Sequence, residues 1–272
     1  MIRNLIQTLE SRRNRKPWLV AIPAVALAIA LLLCPSPPCS AAGPAPDGPA
    51  VLARYAEAVG GVAAWDSIRN SVSQVVLEIQ GTNMRMNVTE FRGRPNFQYV
   101  MLDLPDGKVL SGVYKGYAWE SSVAAGPRLL DGQEQADAVR EASFDQLVHW
   151  RAAYRTAEVT GADTVEGHPC HKVVMKPRLG APQTMYFDVD SGLLWRVDAT
   201  FETTQMGTVN TKGVLSDYRK VGSVLVAHKQ VTDVLGQRRI GTIVEQQFNA
   251  DLPADRFDPP VKVMELLKAK EQ

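Results

Sequence analysis

Residues 71–89 read SVSQVVLEIQGTNMRMNVT, and this stretch decides the fold. Apolar and polar side chains alternate along both of its halves, and the apolar members are Val75, Leu77, Ile79, Met84, Met86 and Val88. Alternation with a period of two is typical of a β-strand that buries one face. The stretch therefore predicts two strands, each with an apolar and a polar side.

The same pattern continues through most of the chain. It predicts further strands at Phe97 to Leu104, Val109 to Tyr114, Tyr117 to Ser121, Arg155 to Thr160, Lys172 to Lys176, Thr184 to Val189, Leu193 to Phe201, Val209 to Tyr218, Val224 to Val234 and Ile240 to Phe248. Short turns such as Asp190-Ser191-Gly192 separate them, which favours sequential hairpins. We expect an antiparallel sheet of about ten strands, a size at which open sheets curl or close.

Helical spacing appears in two regions. Apolar residues recur at helical intervals over residues 51–62, and Gly60-Gly61 precedes a second short piece from Trp65 to Ile68. Asp131 to Tyr154 largely lacks Gly and Pro and predicts one helix that interrupts the strands. The predicted fold class is α+β, mainly β.

Composition excludes several classes of protein. The chain has 272 residues, 45% of them hydrophobic and 22% charged, so it is neither a disordered nor a low-complexity polymer. Its formal net charge is +1, but residues 43–272 alone carry 25 basic against 28 acidic side chains, a balance of −3. We therefore predict no nucleic-acid partner.

The N-terminus has the layout of an export signal. A basic stretch, Arg12 to Lys16, precedes an uncharged run from Trp18 to Cys34, and we interpret residues 1–42 as a signal peptide or membrane anchor. Cleavage before Gly43, lipidation of Cys34 at a lipobox-like Leu-Leu-Leu-Cys, and retention as an anchor all stay open. Residues 43–50 predict a flexible linker. The expected location is the periplasm.

The sequence gives only weak signals for a catalytic site or a metal site. His168, Cys170 and His171 lie close in sequence, but Pro169 intervenes and no Cys-x-x-Cys pair is present, so we predict no metal. Gly-x-Ser-x-Gly is absent, and Asp188 with Asp190 suits a turn better than catalysis. We predict no catalytic residue and no cofactor.

Methionines and aromatic residues on alternating strand positions suggest a binding surface. Unbranched thioethers adapt to irregular apolar ligands, although such residues also fill ordinary cores. On one strand, Trp195, Val197, Ala199 and Phe201 are expected to share a face. The predicted ligand-binding residues are Val75, Leu77, Met84, Met86, Phe97, Tyr99, Met101, Trp195, Val197 and Phe201.

Three segments together resemble the bacterial outer-membrane lipoprotein-sorting (LolA/LolB-like) family. They are Tyr55 to Ile68 with its Gly-Gly break, the Asp188 to Arg196 hairpin, and Gln247-Phe248-Asn249 followed by Leu252-Pro253, Phe257 and Pro259. The resemblance implies an incomplete, strongly curved antiparallel barrel over residues 51–260, with helices over its concave face and an apolar cavity for acyl chains. Residues 261–272 are then a C-terminal tail.

The resemblance implies a non-enzymatic periplasmic carrier of lipids or lipoproteins. Expected partners are a lipid or the acyl chain of a lipoprotein, an envelope protein, and a membrane touched transiently or through the N-terminal segment. Two alternatives stay open: an envelope protein-binding subunit or lipoprotein stress sensor on the same scaffold, and an envelope hydrolase.

Overall fold

The computed structural model describes residues 46–203 and 207–271. The chain divides into two units, residues 1–43 and 44–272. The predicted signal or anchor, including Cys34, lies outside the described residues. Among the described residues, no helix combines the length and the hydrophobicity needed to span a bilayer.

A single antiparallel sheet dominates the described part of the chain. Its thirteen strands are β1 Asn70–Ile79, β2 Arg85–Gly93, β3 Phe97–Leu104, β4 Gly107–Tyr114, β5 Tyr117–Ser122, β6 Gly126–Leu129, β7 Tyr154–Val165, β8 His168–Pro177, β9 Gln183–Asp188, β10 Leu194–Thr203, β11 Gly207–Val221, β12 Val224–Val234 and β13 Gln237–Phe248. The order is β6-β5-β4-β3-β2-β1-β13-β12-β11-β10-β9-β8-β7, so the curved sheet is not closed into a barrel. The mainly β, incomplete-barrel prediction is confirmed, with more strands than the expected ten.

The pairing of β1 with β13 joins two meanders into this sheet. All other strands that are neighbours in the sheet are also consecutive in sequence, whereas β1 and β13 are the first and the last strand of the chain's described part. Val75 of β1 is opposite Val88 of β2 and Ile243 of β13. Residues opposite each other in a ladder share a face. These three side chains therefore mark one face of the sheet, which we call the concave face.

Helix α1, Gly48–Ala58, covers the concave face at the β7 end of the sheet. Asp47 caps it by accepting a hydrogen bond from the backbone N–H of Ala50 at 2.8 Å. Gly48 lies so close to the backbone of β7 that an added Cβ would be 2.0 Å from the Ala157 carbonyl oxygen. Leu52 joins a core with residues of the next strands, among them Phe187 of β9. The helix is thus held tightly on the sheet.

Helix α2, Val62–Asp66, follows a turn that requires glycine. Gly60 and Gly61 have φ angles of +118° and +85°, in the region that favours glycine. The Trp65 indole donates a hydrogen bond to the Val59 carbonyl at 3.2 Å, which holds α2 against the end of α1. The Gly-Gly break predicted from the sequence thus separates α1 from α2.

The long helix predicted for residues 131–154 is wrong, because the chain breaks inside it. Helix α3 spans Gly132–Glu141 and helix α4 spans Trp150–Ala153. Between them lies the α3–α4 connection, residues 142–149. There the Ser143 hydroxyl donates a hydrogen bond to Asp145 Oδ1 at 2.6 Å. Such local side-chain hydrogen bonds compete with helix formation, which explains the break.

Helix α3 contacts β4 and β5 in one half of the sheet and β10 in the other half. Ala142 packs in a small core with Val113 and Ala118 of those strands. Val113 and Ala118 are opposite each other in register. Helix α3 therefore bridges strands from both halves of the sheet.

The predicted tail forms helix α5, Val261–Glu271, on the opposite, convex face. Its Val263 and Leu267 pack against Trp119 of β5, which is fully buried. Gly112 makes room for that indole, because a Cβ there would lie 3.0 Å from the Trp119 ring and 2.2 Å from a backbone oxygen. Helices thus cover both faces of the sheet.

Candidate functional site

A cavity of about 380 Å³ lies between the concave face and the elements that cover it. This volume falls within the range of about 300–1,000 Å³ that is usual for small-molecule sites. Side chains of α1, α2 and the α3–α4 connection form one wall, and strands β1, β2, β11, β12 and β13 form the other. The apolar lining consists of Tyr55, Trp65, Val75, Phe144, Leu215, Tyr218, Leu225, Val226, Ala227, Ile243 and Phe248.

Polar side chains also reach this cavity. They are Ser71, Ser73, Glu90, Arg92, His228, Gln230 and Gln246. Arg92 forms an ion pair with Glu90 at 2.8 Å, and the Ser73 hydroxyl donates to Gln246 at 2.7 Å. The cavity is thus amphipathic, with several of its polar groups already paired.

Arg92 also links the sheet to the helices above it. Its Nη1 donates a hydrogen bond to the backbone carbonyl oxygen of Glu141 at 2.8 Å, at the end of α3. Burial raises the pKa of the Glu141 carboxyl, against the opposing charge of Arg140. The guanidinium of Arg92 therefore connects β2, in the sheet wall of the cavity, directly to the C-terminal end of α3.

Aromatic rings line both the helical wall and the sheet wall of the cavity. Trp65 lies 6.1 Å from the Phe248 ring and 6.5 Å from the Phe144 ring, measured between centroids. Burial raises the pKa of Tyr55 to about 12 and raises that of Tyr218 as well. Both phenols are therefore neutral at physiological pH. The Tyr218 hydroxyl donates to a backbone carbonyl of β10, so it contributes its apolar ring to the wall.

The structure brings part of the predicted ligand-binding set to the concave face. Val75 lines the cavity itself. Leu77 and Met86 are opposite each other and continue the same face of β1 and β2. Val197 and Phe201 lie on the concave face of β10, with Val197 packed against the core under α1.

Phe97, Tyr99 and Met101 lie on the convex face. Tyr99 is opposite Phe91 in register, and its ring packs edge-to-face with Trp119 at 5.4 Å. Phe97 lies 5.6 Å from Phe257 in the C-terminal segment. The rings of Phe97 and Tyr99 therefore pack with the C-terminal segment and Trp119, on the face opposite the cavity.

Trp195 and Met84 also lie apart from the cavity. A register shift between Leu194 and Arg196 breaks the alternation on β10, so the expectation that Trp195 shares a face with Val197 is wrong. The indole instead stacks on the His168 ring at 3.7 Å. Met84 lies just before β2, in the β1–β2 turn, and is 49% exposed.

Sequence reasoning missed most of the cavity wall. Phe144 comes from a segment predicted as continuous helix, and Leu225 and Ile243 come from strands that carried no methionine signal. The sequence pattern places Tyr55 and Trp65 at apolar helical positions and predicts no role in binding for them. Only the long-range pairing of β1 with β13 could have placed Ile243 beside Val75.

The polar cluster around His168 has a structural role. Asp188 accepts hydrogen bonds from the Ser191 N–H and hydroxyl, each at 2.6 Å, and its other oxygen lies 3.2 Å from His168 Nδ1. Burial alone would raise the pKa of Asp188, but these hydrogen bonds hold it below its ordinary value. The carboxylate therefore contacts the Ser191 hydroxyl through one oxygen and the His168 imidazole through the other. Nearby Cys170 is buried, and burial raises the pKa of its thiol to about 11.

Comparison with known proteins identifies the fold. No protein-family model and no curated protein matches the sequence. A LolA superfamily protein from Nitrosomonas europaea matches with a TM-score of 0.55 and 8% identity, over 79% of this chain and 99% of that one. A putative outer membrane lipoprotein-sorting protein domain from Vibrio parahaemolyticus gives 0.54 and 11%, over 81% and 98%. A DUF1329 family protein from Desulfovibrio piger gives 0.54 and 15%, over 78% and 97%. The chain therefore has the LolA-like fold that the sequence motifs suggested.

Proposed function

We propose that this chain is a non-enzymatic envelope protein that binds a lipid, or the acyl chain of a lipoprotein, in the concave cavity and carries or presents it in the periplasm. The observation that carries the proposal is the cavity of about 380 Å³ between aromatic rings of the helical wall and aliphatic residues of the sheet. The LolA-like fold supports it, since one similar structure is described as an outer membrane lipoprotein-sorting domain.

The energetics suit an acyl chain. Burial of apolar surface contributes about 0.8 kcal/mol per methylene, so a long chain binds firmly without any specific polar contact. The neutral phenols of Tyr55 and Tyr218 add no charge to the apolar wall. The ion-paired side chains of Glu90 and Arg92 line the same cavity and offer hydrogen-bonding groups to a polar headgroup. An amphiphile therefore matches both parts of the lining.

Native mass spectrometry of the purified chain, followed by lipid extraction, tests this proposal. We expect a bound amphiphile in the parent protein and its loss in Val75→Glu, which places a carboxylate in the cavity wall. Val244→Glu is the matched control, because Val244 is 61% exposed on β13. Equal lipid content in the parent and in Val75→Glu would contradict the proposal.

A role in binding an envelope protein is the alternative on this scaffold. A pull-down from envelope extract distinguishes the two functions. Protein partners captured without any co-purifying lipid would favour the alternative and count against the carrier.

A further inference from the structure

Three metal-ligating side chains from two separate segments meet beside the cavity. Asp66 ends α2, Asp145 lies in the α3–α4 connection, and His149 directly precedes α4. His149 Nε2 lies 2.8 Å from Asp66 Oδ1 and 3.7 Å from Asp145 Oδ2, and the three ligand atoms all lie within 4.8 Å of one another. We propose that these residues form a binding site for a divalent transition-metal ion, with Zn²⁺ as the representative.

The spacing suits such an ion. Zinc bonds to imidazole nitrogen and carboxylate oxygen are about 2.0–2.2 Å long, which puts the ligand atoms of a tetrahedral site about 3.4 Å apart. The distances of 2.8 and 3.7 Å lie on either side of that value. Three protein ligands leave a fourth position for water or another group. An imidazole in the set favours zinc, copper or nickel over magnesium and calcium.

Asp145 supplies a preformed, buried ligand. Its side chain is only 6% exposed, and its Oδ2 is buried without a well-directed hydrogen bond. The Ser143 hydroxyl donates to Oδ1 at 2.6 Å and so orients the carboxylate. A hydrogen bond from a neighbouring side chain that orients the ligand is typical of metal sites.

Within residues 46–203 and 207–271, Arg94 is the one arginine or lysine that forms an ion pair with this group. Its Nη2 lies 2.7 Å from Asp145 Oδ2, and it also donates to the backbone carbonyls of Trp65 and Ile68. These backbone bonds hold the guanidinium in place. Two carboxylates against one guanidinium leave an excess of one negative charge among these three side chains, and this charge attracts a dication.

The location of the site suggests its effect. Asp66 follows Trp65 in sequence, and Asp145 follows Phe144, and both of these aromatic residues line the cavity. An ion held by the two aspartates and His149 would tie α2 to the α3–α4 connection directly behind that aromatic pair. We expect the metal to fix this wall of the cavity in one position.

Isothermal titration calorimetry of the EDTA-treated full chain with Zn²⁺ alone tests the site. We expect one Zn²⁺ site in the parent, much tighter than Mg²⁺ binding, and at least tenfold weaker Zn²⁺ binding in Asp66→Asn and in His149→Gln. Both side chains are partly exposed, 53% and 38%, so these variants should fold. His171→Gln, which changes a histidine of β8 that is not part of this group, is the control and should bind like the parent.

Hydrogen–deuterium exchange provides a second, independent measurement. Zn²⁺ should slow amide exchange in residues 62–66 and 142–149 of the parent, and leave exchange in Asp66→Asn unchanged. Equal Zn²⁺ binding by the parent and both ligand variants would overturn the proposal, as would no binding at all. In that case Asp66 and His149 form a structural hydrogen bond only. No lipid enters either measurement, so the result is separate from the proposed carrier function.

Discussion

Ile243→Glu is the sharpest test of the cavity as an acyl-chain site. Ile243 lies on the concave face opposite Val75, and both side chains line the cavity. The next residue, Val244, is 61% exposed. The same substitution at these two neighbouring positions therefore changes the same strand and the same net charge, but only one of the two carboxylates enters the cavity.

The magnitude follows from the apolar contact that is lost. If a carboxylate at position 243 displaces two to three methylenes of the ligand, binding weakens by about 2 kcal/mol, at about 0.8 kcal/mol per methylene. That free energy corresponds to an affinity loss of about 30-fold. Desolvation of the new carboxylate adds to this loss. Val244→Glu should leave the affinity within a factor of about two, since it changes no cavity contact.

Displacement of a fluorescent fatty acid by unlabelled saturated fatty acids measures these affinities. In the parent, each added methylene should tighten binding about fourfold until the cavity is full, after which the affinity should level off. Circular dichroism confirms that both variants are folded. Equal affinities of Ile243→Glu and Val244→Glu, or a parent affinity independent of chain length, would refute the reasoning.

Three further predictions concern single contacts. Asp188→Asn should lower the free energy of unfolding by about 1–3 kcal/mol at pH 7, because hydrogen bonds to a buried carboxylate are lost. The pKa of Asp188 in the folded state is below the ordinary value of 3.8. Urea titrations should therefore show the difference between the parent and the variant shrinking as the pH falls below about 4. Trp119→Ala should cost about 3–5 kcal/mol in the same assay, because the fully buried indole anchors α5; an effect below 1 kcal/mol would contradict this packing. Arg92→Met should speed release of a bound fatty acid in stopped-flow measurements, because it removes the hydrogen bond to the Glu141 carbonyl that links the sheet to α3; an unchanged release rate would argue against that link.

Local pattern was sufficient for much of the secondary structure. Alternation found β1 and β2, and Gly60-Gly61 marked the turn between the first two helices. The same reasoning failed for residues 131–154, because a hydrogen bond between Ser143 and Asp145 ends the helical path. Composition over a window does not reveal such a local competition.

The candidate site was predictable only in part, because alternation assigns residues to faces without saying which face is concave. Val75 and Tyr99 both follow the strand pattern, yet one lines the cavity and the other packs under the C-terminal segment. A one-residue register shift then moved Trp195 away from the face of Val197. Registers depend on partner strands far away in sequence, which local pattern does not contain.

The sequence by itself determined a mainly β chain with glycine-marked turns, because strand periodicity and turn chemistry are properties of neighbouring residues. The tertiary structure alone decided that β1 pairs with β13 and that Phe144 closes the cavity. It also brought Asp66 to His149, 83 residues away. These contacts join segments distant in the chain, and only the packing of helices on a curved sheet brings them together.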